Sequence, residues 1–131
     1  MLRAGDPARH PERLSSGQRA VFALSDAVGQ TVAGRGLYEY YEYGLSRTLG
    51  DELPAAARLI GAEKHAALFE RANALFPRDE DGTLRVDPAL EEDPNVRACL
   101  DDLSHEFFDL EREVGLVDCM LRFVCEHPDE F

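Results

Sequence analysis

The chain lacks the motifs that usually name a reaction. It contains no GxGxxG, no Walker loop and no GxSxG, so nothing marks a nucleotide-binding fold or an activated serine. It has no CxxC pair, and its three cysteines, Cys99, Cys119 and Cys125, are an odd number. Cys119 and Cys125 stand six apart, on different faces of a helix. They read as free thiols of a reducing compartment, packed in or near apolar positions, and not as a disulfide frame. The N-terminal stretch MLRAGDPARHPERL carries bases with no apolar h-region behind them, which predicts no signal peptide. Apolar runs stay far short of the ~18 residues of a spanning helix. A soluble, cytoplasmic protein is expected. Lysine is nearly absent too: Lys64 stands alone beside thirteen arginines.

What is abundant is acid, and it is segregated. Residues 78–131 hold 17 acids against five arginines, while residues 1–77 hold nine of each sign, so the whole net charge of −12 lies in the C-terminal 54 residues. Polyanionic partners, nucleic acid and anionic membrane, are disfavoured by such a surface. Basic partners, metal ions or simple solubility are favoured. With 131 residues, 44% of them hydrophobic, the chain is expected to fold as one domain that buries ~two-thirds of its unfolded surface.

No segment alternates with period two and no repeat is present. The pattern predicts an all-α, single compact domain of six or seven short helices with no sheet, over residues 15–131, preceded by a flexible N-terminal arm, 1–14. Ser15 or Ser16 caps a first helix with Val21, Leu24, Val28 and Val32 inward. Gly36 and Gly50 bracket a second, with Leu37, Tyr41, Leu45 and Leu49 on one face. About half of Tyr38, Tyr40, Tyr41 and Tyr43 should pack inward, Tyr41 among them, and the rest present an aromatic-acidic surface. Asp51-Glu52-Leu53-Pro54 opens a third helix that Gly61 ends. Ala62 to Phe76 is the clearest helix, with a buried stripe of His65, Leu68, Phe69, Ala72, Leu75 and Phe76. A long loop follows over 77–95, mobile and acidic over 79–93, with one helical turn at Ala89-Leu90-Glu91. Then come a short helix (Val96, Cys99, Leu100, Leu103 inward), another capped by Ser104 (Phe107, Leu110, Val114 inward), and after Gly115 a last one (Leu116, Met120, Leu121, Val124 inward).

The candidate constellations thin out on inspection. Asp79-Glu80-Asp81-Gly82 is similar to a calcium loop, but with Gly82 sixth the first and twelfth positions are Pro77 and Pro88, so it reads as a solvated loop. Asp101, His105 and Asp109 share a helical face; no second cluster completes a metal site, and the sequence is not HExxH, so His105 reads as a surface histidine. His65 reads as a satisfied core histidine, and His127 as a residue near a helix C-terminus, where a cation is favoured. No catalytic residue, metal ligand or cofactor is assigned. The sharpest pattern is a row of acids, Asp102, Glu106, Asp109 and Glu113, at i, i+4, i+7 and i+11. Like charges at this spacing weaken their own helix by a few tenths of a kcal/mol per pair. With Asp79, Glu80, Asp81, Glu91, Glu92 and Asp93 of the loop, the row is the expected partner-binding surface.

Several stretches together resemble a known family. Gly34-Arg35-Gly36-Leu37-Tyr38-Glu39-Tyr40-Tyr41 is similar to its Asn-Gly-Gly-Phe-x-Gln-Tyr-Phe motif. Leu59-Ile60-Gly61-Ala62-Glu63-Lys64-His65-Ala66, with Arg71-Ala72 and Phe76-Pro77, resembles its IGA helix. Leu103-Ser104-His105-Glu106-Phe107-Phe108 and the closing Phe123-to-Phe131 segment resemble its Leu-Asp-x-x-Phe-Tyr and final helix. This is the DNA-mimic protein family, a bacterial family otherwise carried as a domain of unknown function, and the likeness spans roughly residues 20–131. The sequence departs from it where Gly34-Arg35 replaces Asn-Gly, Glu39 replaces Gln, and Ser104 replaces Asp. The resemblance implies an all-α domain whose acids imitate DNA phosphates and occupy a DNA-binding protein such as a transcription factor.

Duplex DNA carries one charge per ~1.7 Å of axis, so −12 equals ~20 Å of duplex, about six base pairs. A domain of this size presents a face of ~35 Å, on which DNA would carry ~20 charges. One copy imitates a half-site; a homodimer would double it. Other readings of the same residues are an immunity or antitoxin-like neutraliser of a basic protein, and a small enzyme or metal protein built on Asp101, His105 and Asp109.

Overall fold

The computed structural model describes residues 14–34, 36–86 and 93–131, and only the backbone of Arg47. The N-terminal arm expected over 1–14 and the turn expected at 89–91 therefore fall, apart from Leu14, outside the described residues. The described chain is all-α: α1 (Ser16–Gly34), α2 (Leu37–Tyr43), α3 (Ser46–Leu49), a 3-10 turn (Gly50–Glu52), α4 (Leu53–Leu59), α5 (Glu63–Asn73), α6 (Pro94–Glu113), α7 (Leu116–Glu126) and a closing 3-10 turn (Pro128–Glu130). The only ladder contact among these residues is an isolated bridge, Arg78 with Leu84.

Helix α1 is the hub, packed on α2, α4 and α7. It starts at a reciprocal cap: Ser15 Oγ accepts from Gln18 N at 3.1 Å, and Gln18 Oε1 accepts from Ser15 N at 3.0 Å. Its buried face is Ala20, Ala23, Leu24, Ala27, Val28 and Thr31. The small residues in that set let α2 and α4 approach closely. A second cap comes from the other end of the chain, where Glu130 Oε1 accepts from Gly17 N at 2.7 Å.

The expected helix over 37–49 is broken in two, and Asp26 of α1 explains the break. Its Oδ2 accepts from Leu45 N at 2.7 Å and so opens α3. The chain passes so close that a Cβ at Gly44 would lie 2.6 Å from the Tyr40 carbonyl oxygen and 2.9 Å from Asp26 Oδ2. Tyr40 and Tyr41 enter the core, Tyr38 is half-buried and Tyr43 is exposed. The Tyr41 hydroxyl donates to Asn73 Oδ1 at 2.7 Å, and Asn73 Nδ2 donates to the Gly50 carbonyl at 2.8 Å. Helix α4 ends where expected. Gly61 has φ +86°, Ala62 N donates to the Ala57 carbonyl and Gly61 N to the Arg58 carbonyl, the six-to-one and five-to-two bonds of a left-handed C-cap.

Residues 94–113 form one helix, where two were expected. Ser104 does not start a helix of its own. Its hydroxyl donates to the Leu100 carbonyl at 2.7 Å and accepts from Leu37 N at 2.8 Å, so it lies mid-helix and caps the N-terminus of α2. A serine at i+4 from Leu100 can satisfy its hydroxyl on its own turn, which leaves a lone pair for a neighbouring helix.

The inward faces also shift. Val32, Val114 and Leu121 are about half exposed and Cys99 is exposed, whereas Cys119 and Phe123 are buried. Helix α7 packs through Leu116, Cys119, Met120 and Phe123, spaced i, i+3, i+4, i+7. Leu121, five residues from Leu116, lies about 140° round the helix from it. The core is one cluster in which Tyr40, Tyr41, Phe69 and Phe107 are the largest buried side chains.

Candidate functional site

Helix α6 carries the acid row, and its register follows from the buried stripe Val96, Leu100, Leu103, Phe107. With that stripe inward, Asp102, Glu106, Asp109 and Glu113 are all exposed. Asp93 caps the helix, its Oδ1 accepting from Asn95 N at 2.9 Å, and Pro94 takes the first turn, where its missing N–H is harmless.

The row is not bare. Arg71 of α5 grips Glu106 with two bonds of 2.8 and 2.7 Å, Arg112 reaches Asp109 at 2.8 Å, and Lys64 lies 3.7 Å from Glu113. Asp102 alone of the four has no cationic partner among the described residues. Four acids facing three cations leave the row a formal −1. The Arg71 guanidinium holds the Glu106 carboxyl below its ordinary range, and Glu106 in turn raises Arg71. These pairs are open to water, with side-chain exposures of 57% and 47% for Arg71 and Glu106, so each contributes only ~0–1 kcal/mol.

Up to Val86 the acidic loop is a hydrogen-bonded turn. Asp79 N donates to the Thr83 carbonyl and Arg85 N to the Pro77 carbonyl, both at 2.8 Å, and Gly82 takes φ +89°. Leu84 and Val86 are buried beneath it. Arg78 binds Asp51 with two bonds of 2.7 Å, and Arg85 lies 3.1 Å from Asp79. Asp81 accepts from Thr83 N at 3.0 Å, and bonding to Thr83 lowers its pKa. Glu80 and Asp81 thus remain without a cation among the described residues. Glu91 and Glu92 lie outside the described residues.

Helices α5 and α6 run antiparallel, with His65 against Glu111 at one end and Arg71 against Glu106 further along. The acidic turn that leaves α5 therefore emerges toward the Asp102 end of the row. Of the site residues, Asp102, Glu80 and Asp81 are exposed and without a cation among the described residues, whereas Glu106, Asp109, Glu113 and Asp79 are paired. Sequence reasoning missed the counter-charges. Arg112 is visible at i+3 from Asp109, but Arg71 and Lys64 reach the row only through the α5–α6 packing.

The other candidates resolve simply. His65 is 2% exposed, and its Nε2–H donates to Glu111 Oε1 at 2.9 Å, which also accepts from Leu116 N at 2.9 Å and so caps α7. His105 Nδ1–H donates to the Asp101 carbonyl, and Asp109 is engaged by Arg112. Among the described residues no group of three or more His, Cys, Asp or Glu side chains is placed to hold a metal ion. His127 donates from Nδ1 to the Phe123 carbonyl and stacks on the Phe123 ring at 4.1 Å. No described helix is long and apolar enough to cross a membrane.

An all-α domain with an exposed row of acids along α6 defines the class: an acidic helical protein. The chain belongs to the DMP19-like protein family, whose model matches residues 12–127, the DNA-mimic family that its motifs resemble. Comparison with curated proteins and with solved structures finds no match.

Proposed function

We propose that this chain is a non-enzymatic, cytoplasmic DNA mimic that occupies the basic DNA-binding surface of another protein, such as a transcriptional regulator. The observation that carries the reading is the exposed row Asp102, Glu106, Asp109 and Glu113 along one helix, in a chain of a DNA-mimic family. From Asp102 to Glu113 the row runs about 16 Å, a length on which duplex DNA carries ~10 charges. Four acids reach that density only in part, and three of them are countered at home. The counter-charges are exchangeable. Exposed pairs worth ~0–1 kcal/mol each can be replaced by a partner's arginines at little cost, after which the displaced Arg71, Arg112 and Lys64 return to water. The acids of the turn, Asp79, Glu80 and Asp81, and Asp93 at the start of α6 extend the strip, and Glu91 and Glu92 add to it in sequence. No direct nucleic-acid contact is part of the reading, because phosphates and this strip repel.

The test is a fourfold variant, Asp102→Asn, Glu106→Gln, Asp109→Asn and Glu113→Gln, in which shape is kept and charge removed. Its circular dichroism should match wild type, while capture of the basic partner from extract falls at least tenfold. Undiminished capture by the folded variant ends the mimic reading.

A further inference from the structure

Helix α7 is held less closely than the other long helices. Its buried side is narrow, Leu116, Cys119, Met120 and Phe123, while Val117 and Leu121 stand exposed. It joins α6 through two residues of extended backbone, Val114 (φ −142°, ψ 102°) and Gly115 (φ −67°, ψ 133°), and Val114 is exposed. The closing turn belongs to this helix. His127 Nδ1–H donates to the Phe123 carbonyl at 2.9 Å, the His127 ring stacks on Phe123, and Phe131 meets the same ring edge-on at 6.3 Å. Residues 116–131 are thus one piece. At its start Glu111 of α6 accepts from Leu116 N, midway Ser25 Oγ lies 3.7 Å from Met120 Sδ, and at its end Glu130 accepts from Gly17 N in the first turn of α1.

We propose that α7 and the closing turn form a hinged arm that swings off α1 about Val114–Gly115, latched shut by the Glu130 carboxylate on the N-terminus of α1. The latch has tight clearance. Gly17 is buried, and a Cβ there would lie 2.5 Å from Glu130 Oε1, so the carboxylate reaches the α1 amide only because residue 17 has no side chain. There it also meets the positive end of the helix dipole. Opening strands no polar group. Gly17 N, Leu116 N and Glu130 pass to water, and Glu111 keeps its 2.9 Å bond from His65. The cost is then mainly the apolar contact of four side chains, a small share of the core, which sets this segment apart for local opening. The remainder stays assembled. Arg71–Glu106 and His65–Glu111 fix α6 to α5, and Ser104–Leu37 fixes it to α2. The moving part carries none of Asp102, Glu106, Asp109 and Glu113. Its release uncovers the apolar sides of α1 and α7 and leaves that row in place. The inference rests on packing and stands whether or not the chain is a DNA mimic.

Cys119 reports the opening directly, because it is buried whereas Cys99 and Cys125 are exposed. Labelling of the full chain with N-ethylmaleimide, located by peptide mass spectrometry, should mark Cys99 and Cys125 at once and Cys119 slowly. The Cys119 rate should depend only weakly on dilute urea, as opening of a small segment requires. Amides of residues 117–126 should exchange together and faster than those of α5. Gly17→Ala drives Glu130 off its amide while making α1 a better helix former. Cys119 labelling should then rise about two- to thirtyfold, the range for loss of one helix cap. The thermal midpoint should change little, the better helix former offsetting the lost bond. Glu130→Ala should give the same acceleration, and the double variant should exceed neither single one, because both remove one bond. The inference is overturned if Cys119 opens with the same free energy and urea dependence as the α5 amides. It is equally overturned if folded Gly17→Ala protein labels Cys119 at the wild-type rate.

Discussion

Ser104 is the residue whose role differs most between its local sequence and its place in the fold, and its removal has a calculable effect. Ser104 is 8% exposed and Leu37 is fully buried, so in Ser104→Ala the Leu37 amide loses its acceptor with no water to replace it. Loss of an N-cap oxygen costs about 0.5–2 kcal/mol, and an orphaned buried donor about 1–3. Alanine returns a few tenths as a better helix former inside α6. The net expectation is about 1–1.5 kcal/mol, or about 4–5 °C in melting temperature for a chain of this length. Urea and thermal unfolding read the magnitude, and amide hydrogen exchange reads the place. Protection should fall at Leu37 and the first turn of α2, sixty-seven residues away in sequence, while the amides following Ser104 keep theirs. Weakened protection confined to residues 105–108 would restore Ser104 as the cap of its own helix and refute the cross-helix cap.

Three further outcomes follow from the same geometry. Burial pushes the Asp26 carboxyl above its ordinary value, against the lowering bond from Leu45 N. The fold thus holds this proton more tightly than the unfolded chain does, and ionising Asp26 removes stability that returns as pH falls through its raised value toward about 4. Asp26→Asn, which keeps an acceptor for Leu45 N, should be at least as stable as wild type at pH 7, with the advantage shrinking on acidification; urea midpoints across pH 4–7 check it, and a large loss at pH 7 contradicts it. The Tyr40 hydroxyl is buried with no partner among the described residues, so Tyr40→Phe should leave stability unchanged or raise it by up to about 1–2 kcal/mol, measured by thermal melts. Arg71→Gln removes a counter-charge from an exposed pair. It should cost less than about 1 kcal/mol in stability and strengthen binding of a basic partner severalfold at low salt, as titration would show.

Much of this was legible in the sequence because it depends on neighbours along the chain. Gly61, Pro54 and Gly115 punctuate the helices where local chemistry says they must, and the apolar period of α5 places His65 in the core. The row Asp102, Glu106, Asp109 and Glu113 follows from spacing alone. What was not legible depends on contacts between distant segments. Asp26 divides one expected helix in two by capping Leu45, and Ser104 joins two expected helices into one because its hydroxyl serves Leu37. Arg71 and Lys64 neutralise the row from another helix. Periodicity also overstates burial at Val32 and Leu121: it marks an apolar side chain but not whether a neighbour covers it, and here none in the described chain does.

The role proposed for the exposed acids is to meet a basic protein surface. Its most direct test is affinity capture from the native cell extract with the full chain, at about 50 mM and about 500 mM salt, scales at which screening differs severalfold in range. The expected result is a DNA-binding protein recovered at low salt, lost at high salt, and released by competing duplex DNA. Recovery of a partner that holds through high salt and ignores DNA would contradict it.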